Sequence, residues 1–160
     1  MITTGGTIAS QEGEDGLEPK TTGQQMLDLI PELQGLCEID CVDLLNLDST
    51  NMQPEEWAVM AKAAFEGMKN HDGIVITHGT DTLEETAYLL DLTINSDKPV
   101  VITGAMRSGS ELGYDGPSNL AASICTAISD DAKGRGVLVC FNGELNSAAE
   151  VTKANSMALN

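Results

Sequence analysis

Ile74-Val75-Ile76-Thr77-His78-Gly79-Thr80-Asp81-Thr82-Leu83-Glu84-Glu85 passes from an apolar, β-branched run through small polar residues into a helical pattern. A strand buried on both faces is continuously apolar rather than alternating, and Ile-Val-Ile-Thr has that character. Thr82 and Glu85 then stand at capping-box spacing ahead of apolar residues recurring over 83–94. The stretch predicts a strand, a polar turn and a helix.

The same order recurs on either side of it. Further strands are predicted over residues 2–4, 39–47, 100–103 and 137–141, where Val-Val-Ile-Thr and Val-Leu-Val-Cys-Phe are again continuously apolar. Pro54 suits the first position of a helix over 54–69, where its missing N–H costs nothing. Trp57, Met60, Ala61, Ala64, Phe65 and Met68 form one apolar stripe along it. Pro117 starts another helix, with Leu120, Ala121, Ile124, Cys125 and Ile128 on one side. A weaker helix over 23–30 follows Thr22 and Gln25, also at capping-box spacing. Beyond Phe141 the pattern fades, and Asn142-Gly143 is expected to turn a hairpin into 145–151. Strands alternating with crossover helices predict right-handed βαβ units and a mostly parallel sheet in a three-layer α/β domain.

Composition narrows the function. At 160 residues the chain has the size of one domain, assigned here to 1–160. Its formal charge is −17, from 25 acids against 8 bases. Phosphate backbones and anionic lipid surfaces need basic faces, so neither nucleic acid nor a membrane is an expected partner. No apolar run approaches the ~20 residues of a membrane span, and the first residues show no signal peptide. Four cysteines at 37, 41, 125 and 140 form no C-x-x-C pair. They are read as small buried hydrophobes, free thiols in a reducing cytoplasm.

Ligands of an open α/β sheet bind beyond the carboxyl ends of its strands. The residues found there are Thr4-Gly5-Gly6-Thr7, Asp48-Ser49-Thr50-Asn51, Thr77-His78-Gly79-Thr80-Asp81-Thr82 and Gly104-Ala105-Met106-Arg107. Hydroxyls, carboxylates and glycines collect, without a Ser-His-Asp arrangement, a P-loop or a metal-ligand spacing. A threonine hydroxyl becomes a nucleophile when a neighbouring base takes its proton. Asp81 and a lysine supply a polarising carboxylate and that base. Read alone, Thr4-Gly5-Gly6-Thr7 is a glycine turn and Asp81 or Thr82 a helix cap. Ser49 and Thr50 alone would be turn residues, and an isolated Lys153 a surface lysine. With no ligand spacing around it, His78 is read as structural.

Thr4-Gly5-Gly6-Thr7-Ile8-Ala9 and Thr77-His78-Gly79-Thr80-Asp81-Thr82 resemble the two signatures of the bacterial-type asparaginase/glutaminase family. Gly104-Ala105-Met106-Arg107, Asp115-Gly116-Pro117 and Val151-Thr152-Lys153 match it too, in order along the whole chain. The resemblance implies the Rossmann/flavodoxin-like amino-terminal domain of that family. It also implies hydrolysis of L-asparagine, with L-glutamine possible, to the acidic amino acid and ammonia, without metal or cofactor. It assigns Thr4 as primary nucleophile and Thr80, Asp81 and Lys153 as a Thr-Asp-Lys triad. Asp48, Ser49, Thr50, Gly79, Thr80 and Asp81 would hold the substrate's α-carboxylate and α-amino group, and Ala105 would contact the leaving amide. A homo-oligomer, a tetramer of intimate dimers, is implied as well. The phrase Asp48-Ser49-Thr50-Asn51-Met52 looks more like the cytoplasmic type I branch.

Three departures stand out. The family's second domain, which a neighbouring subunit supplies to each active site, is not expected within these 160 residues, and only three residues precede Thr4. The chain is therefore expected to be clipped at both ends. The tyrosine that relatives often place near position 17 of a mobile lid is replaced by Leu17, which leaves the nucleophile's partner unassigned. Glu12-Gly13-Glu14-Asp15 is expected to be part of that lid. Two rival readings remain: an inactive fragment that keeps the fold and binds acidic amino acids, and an ammonia-releasing amidotransferase subunit.

Overall fold

The computed structural model describes residues 1–14, 16–33 and 35–156. Its main sheet contains β1 (Ile2–Gly5), β4 (Val42–Leu47), β5 (Ile74–Thr77), β6 (Val100–Thr103), β7 (Val137–Phe141) and β8 (Glu144–Ser147). Between β1 and β4 lie β2 (Ser10–Gly13) and β3 (Gly16–Pro19), an antiparallel hairpin of their own, followed by helix α1 (Gly23–Asp28). Helices α2 (Pro54–Met68), α3 (Leu83–Thr93) and α4 (Gly116–Ala127) make the crossovers.

The sheet order is β4-β1-β5-β6-β7-β8, parallel except for β8. Counting only these strands, the parallel part reads 2-1-3-4-5, the flavodoxin-like order. Its direction of winding reverses between β1 and β5, and ligands of such folds sit at that switch point.

Alternation along the buried strands builds two cores. Ile74, Ile76, Val100, Ile102, Val137 and Val139 face α2 and α3, packing with Met60, Ala64, Leu83 and Leu90. Val75, Val101 and Cys140 face the opposite way, onto Met26, Leu120, Ile124 and Ala127 of α1 and α4. Fully burying each such aliphatic chain contributes about 1.5–3 kcal/mol. The predicted three-layer α/β architecture is the one observed.

Several local expectations change. Thr22 and Gln25 do form a reciprocal capping box at α1. Thr82 and Glu85 do not at α3, because the Thr82 hydroxyl donates to the Ser49 carbonyl, 2.9 Å away. Phe65 is 56% exposed and Ile128 44%, so each apolar stripe wraps past the face that packs. Cys140 is buried, but Cys37 and Cys41 are half-buried and Cys125 is exposed, which corrects the reading of all four as core. Asn142 (φ 49) and Gly143 (φ 77) make the expected hairpin turn, with β8 ending at Ser147. Of the acidic stretch read as lid, residues 12–14 belong to the β2–β3 hairpin and its turn, and Asp15 lies outside the described residues. Among the described residues no helix is long and apolar enough to cross a membrane.

Candidate active site

The turns after β1, β5 and β4 are pressed together at the carboxyl rim. Gly6 has φ 75, and a Cβ there would stand 2.4 Å from the Gly79 Cα. A Cβ on Gly79 would in turn meet the Ser49 side chain at 2.7 Å. Glycine is required at both positions because backbone passes where a side chain would be.

On this base the polar groups interlock. Lys153 Nζ donates to Thr80 Oγ1 at 2.9 Å and to Asp81 Oδ1 at 2.6 Å. Its backbone N–H donates to Glu84 Oε2 in the first turn of α3, fastening a stretch that has no secondary structure of its own. Ser49 Oγ accepts the Asp81 N–H at 3.2 Å. Asp48 Oδ1 accepts both the N–H and the hydroxyl of Thr50, at 2.9 and 2.8 Å. The structure thus brings the strand-end residues Thr80, Asp81, Asp48, Ser49, Thr50 and Gly79 together with Lys153, which the family resemblance named.

A cleft of about 310 Å³ opens on the β7–β8 side of Thr80, lined by Glu84, Met106, Asn142 and Lys153 among others. Ala105 is fully buried on the neighbouring rim. Its loop is pinned by Asp115, which accepts the N–H groups of Met106 and Arg107 at 3.0 and 2.9 Å. Asn119, 2% exposed, donates to Gly104 O and to Asp115 and accepts the Asn142 N–H, each at 3.0 Å.

Thr4 does not join this group. It is 1% exposed, and its hydroxyl donates to the Thr77 carbonyl at 2.8 Å, stitching β1 to β5. Thr103 does the same between β6 and β7, donating to the Cys140 carbonyl at 2.7 Å. A hydroxyl walled in and spent on its neighbour's backbone cannot reach a substrate, so the assignment of Thr4 is corrected. The threonine on the far side of the glycine pair is placed differently. Thr7 opens a short 3-10 turn, Thr7–Ala9, directly after the glycine that touches Gly79. It is half-buried, and its hydroxyl has no hydrogen-bond partner among the described residues. A residue before a strand-ending glycine pair still belongs to the sheet, whereas the one after it emerges above the rim; that signal distinguishes the two threonines.

His78 is fully buried, and its two ring nitrogens are engaged. The indole Nε1–H of Trp57 donates to Thr86 Oγ1 at 2.8 Å, and that hydroxyl lies 3.0 Å from His78 Nε2. The Gly79 carbonyl, 2.7 Å from Nδ1, can only accept, so Nδ1 carries the hydrogen. Nε2 of the neutral ring then accepts from the Thr86 hydroxyl, which in turn accepts from Trp57. Burial lowers the imidazole's pKa and keeps it neutral. Among the described residues no three histidine, cysteine or acidic side chains gather as metal ligands.

The family domain described as "Asparaginase, N-terminal" matches residues 1–160. A "Probable L-asparaginase periplasmic" of Haemophilus influenzae is 41% identical over 99% of this chain and 47% of its own length. "L-asparaginase 2" of Bacillus subtilis is 40% identical over 98% of this chain and 44% of its own. The crystal structure of a "Probable Cytoplasmic L-asparaginase" from Campylobacter jejuni superposes with a TM-score of 0.90 at 40% identity, covering 99% of this chain and 48% of that one. The chain spans about half the length of these relatives.

Proposed function

Because this chain belongs to the asparaginase family, matched throughout by its amino-terminal domain, we propose that it carries the catalytic machinery of an L-asparaginase whose nucleophile is Thr7. Thr7 Oγ1 attacks the side-chain carboxamide carbon of L-asparagine. The Thr7 hydroxyl proton passes to a base at the site and from it to the departing nitrogen; the C–N bond breaks, ammonia leaves, and an acyl-enzyme remains. Water activated at Thr80 then cleaves the ester, releasing aspartate and restoring the Thr7 hydroxyl. L-glutamine, one methylene longer, is the second substrate. No metal or organic cofactor enters the reaction.

The observation that carries this reading is the contact of Lys153 Nζ with both Thr80 Oγ1 and Asp81 Oδ1. As an ammonium, Lys153 donates to both oxygens. In its proposed role as supporting base it takes the Thr80 proton, and Asp81 stabilises the resulting charge. Asp48, Ser49, Thr50, Gly79 and Asp81 hold the α-carboxylate and α-amino group, while the Ala105 backbone receives the leaving amide. The N-terminal end of α3, an 11-residue helix beginning at Leu83, adds its dipole beside the substrate's negative charge.

The whole protein is proposed to act in the cytoplasm as a homo-oligomer, a tetramer of intimate dimers. Four free thiols accord with a reducing compartment. A second reading is a scaffold that folds and binds acidic amino acids without turnover.

Ammonia release from L-asparagine by the purified chain, beside Thr7→Ala and Thr4→Ala, tests all of this. Thr7→Ala is expected to lower kcat at least about 10³-fold. Thr4→Ala is expected to retain turnover and to lose about 1–3 kcal/mol of stability from the orphaned Thr77 carbonyl. Loss of turnover only in Thr4→Ala would overturn the choice of Thr7. A folded parent that binds aspartate but releases no ammonia supports the scaffold.

A further inference from the structure

Tyr114 reaches the Thr7 turn from the loop before α4. It ends the loop 107–114, and its hydroxyl donates to the Ile8 carbonyl at 2.5 Å across 106 positions of sequence. Ile8 is the middle residue of the Thr7–Ala9 turn and is 1% exposed. Two more bonds from the same loop hold the β2–β3 hairpin: Gly109 N–H donates to Ser10 O at 3.0 Å, and Glu12 N–H donates to Ser110 Oγ at 2.8 Å. The returning end of that hairpin fastens to the same turn, because the Ala9 carbonyl accepts the N–H groups of Lys20 and Thr21, each at 2.9 Å. The turn that presents Thr7 is therefore also the root of the hairpin.

The tyrosine ring has a seat made for it. A Cβ on Gly116 would stand 2.3–2.4 Å from the ring and its hydroxyl, so only glycine there leaves room. The ring packs against the core that contains Ile8, Ala9, Ala105 and Leu120. Burial pushes the phenol up to about 12, so it remains a donor across the working pH range. The next residue, Asp115, fixes the Met106 and Arg107 N–H groups. Neighbouring residues thus grip the nucleophile's turn and the loop after Ala105.

We propose that Tyr114 is a positioning residue for Thr7, holding the Thr7–Ala9 turn and the hairpin root through its bond to the Ile8 carbonyl. The proposal rests on Thr7 as nucleophile. Tyr114 touches no reacting atom; its effect runs through the placement of the Thr7 hydroxyl, where an error of about 1 Å costs up to about 10²-fold in rate.

Tyr114→Phe keeps the ring in its seat and removes only the hydroxyl. Two readouts on the parent and this variant test the proposal. In ammonia release, kcat is expected to fall about tenfold or more while KM stays within about twofold. In amide hydrogen exchange, Lys20 and Thr21 are expected to exchange about tenfold faster while Val101 and Ile102 of β6 are unchanged. Equal kcat in the two proteins overturns the proposal even where exchange rises, because the bond is then a fastening alone. Unchanged exchange at Lys20 and Thr21 overturns it in any case. A parent that releases no ammonia counts against the activity reading, and the exchange comparison then decides on the clamp.

Discussion

At the carboxyl rim of the sheet His78, Ser49, Thr103 and Asn119 are at most 3% exposed, whereas at the amino rim the side chains of Asp40 and His71 are 84% and 38% exposed. Hydrogen bonds at the first rim join elements to one another: β1 to β5 through Thr4, the turn after β4 to the start of α3 through Ser49, and α3 to the far end of the chain through Glu84 and the Lys153 N–H. Those at the second mostly finish helix α2. His71 Nδ1 meets the Gly67 carbonyl at 2.8 Å, and Lys98 Nζ donates to the Met68 and His71 carbonyls at 2.7 and 2.8 Å. Cations at a helix carboxyl end satisfy carbonyls the helix leaves open, and water can do the same. Polar groups in the dry rim have no such substitute, because an unmade bond there costs the full desolvation of the group left behind. The buried part of the carboxyl rim is thus irreplaceable where the amino rim is replaceable, and the proposed site, with Asp48, Thr50 and Asp81 exposed, opens from it.

Asn119 should break that comparison most visibly. Asn119→Ala strips the Gly104 carbonyl and the Asn142 N–H of their partner at once, and takes one of two donors from Asp115 Oδ2, which keeps the Met106 N–H. We expect a loss of about 2–4 kcal/mol in chemical denaturation, the upper range for single substitutions. A loss below about 1 kcal/mol would mean that water enters the carboxyl rim as freely as the amino rim.

His78 sharpens the contrast through pH. Its pKa is lowered on folding, chiefly by burial, so the unfolded chain binds the proton more readily. Stability should therefore be complete above the unfolded value of about 6.5 and decline as pH falls below it. Protonating Nε2 would also set its hydrogen against that of Thr86. His78→Gln, which cannot titrate, is expected to flatten the decline between about pH 6.5 and 5. An unchanged slope in thermal melts would remove His78 as its source.

The fold was legible because strands buried on both faces have a composition nothing else imitates. Ile74–Thr77, Val100–Thr103 and Val137–Phe141 begin and end where their apolar runs do. Edge elements were less so: β4 starts at Val42 although its apolar pattern starts earlier, and it is largely exposed. At the rim, Thr80, Asp81 and Lys153 were readable from their motifs and the strand-end rule. Thr4 and Thr7 differ only in lying before or after a glycine pair, so the choice turns on where the strand stops. The reach of Tyr114 to Ile8 has no local signature, since 106 positions separate them. Asn119 reads as one polar residue in a helix, and only the meeting of three loops gives it a task.

His71 gives the smallest effect, and its sign is opposite. The hydrogen bond to Asp40, 2.9 Å away, raises its pKa first, with the Gly67 carbonyl second. A raised folded value means that the stabilisation is fully present below the unfolded value of about 6.5 and disappears as pH rises through the folded one. Because both partners are exposed, water and salt screen the pair, and His71→Ala is expected to cost only a few tenths of a kcal/mol at pH 6. Once the pH stands well above the raised folded value, the ion-pair part of that cost should vanish. Melts at two pH values, at low and at moderate salt, measure it. An acid-side loss in the parent that persists in His71→Ala but disappears in His78→Gln would assign the pH dependence to the dry rim, with the wet one pulling weakly the other way.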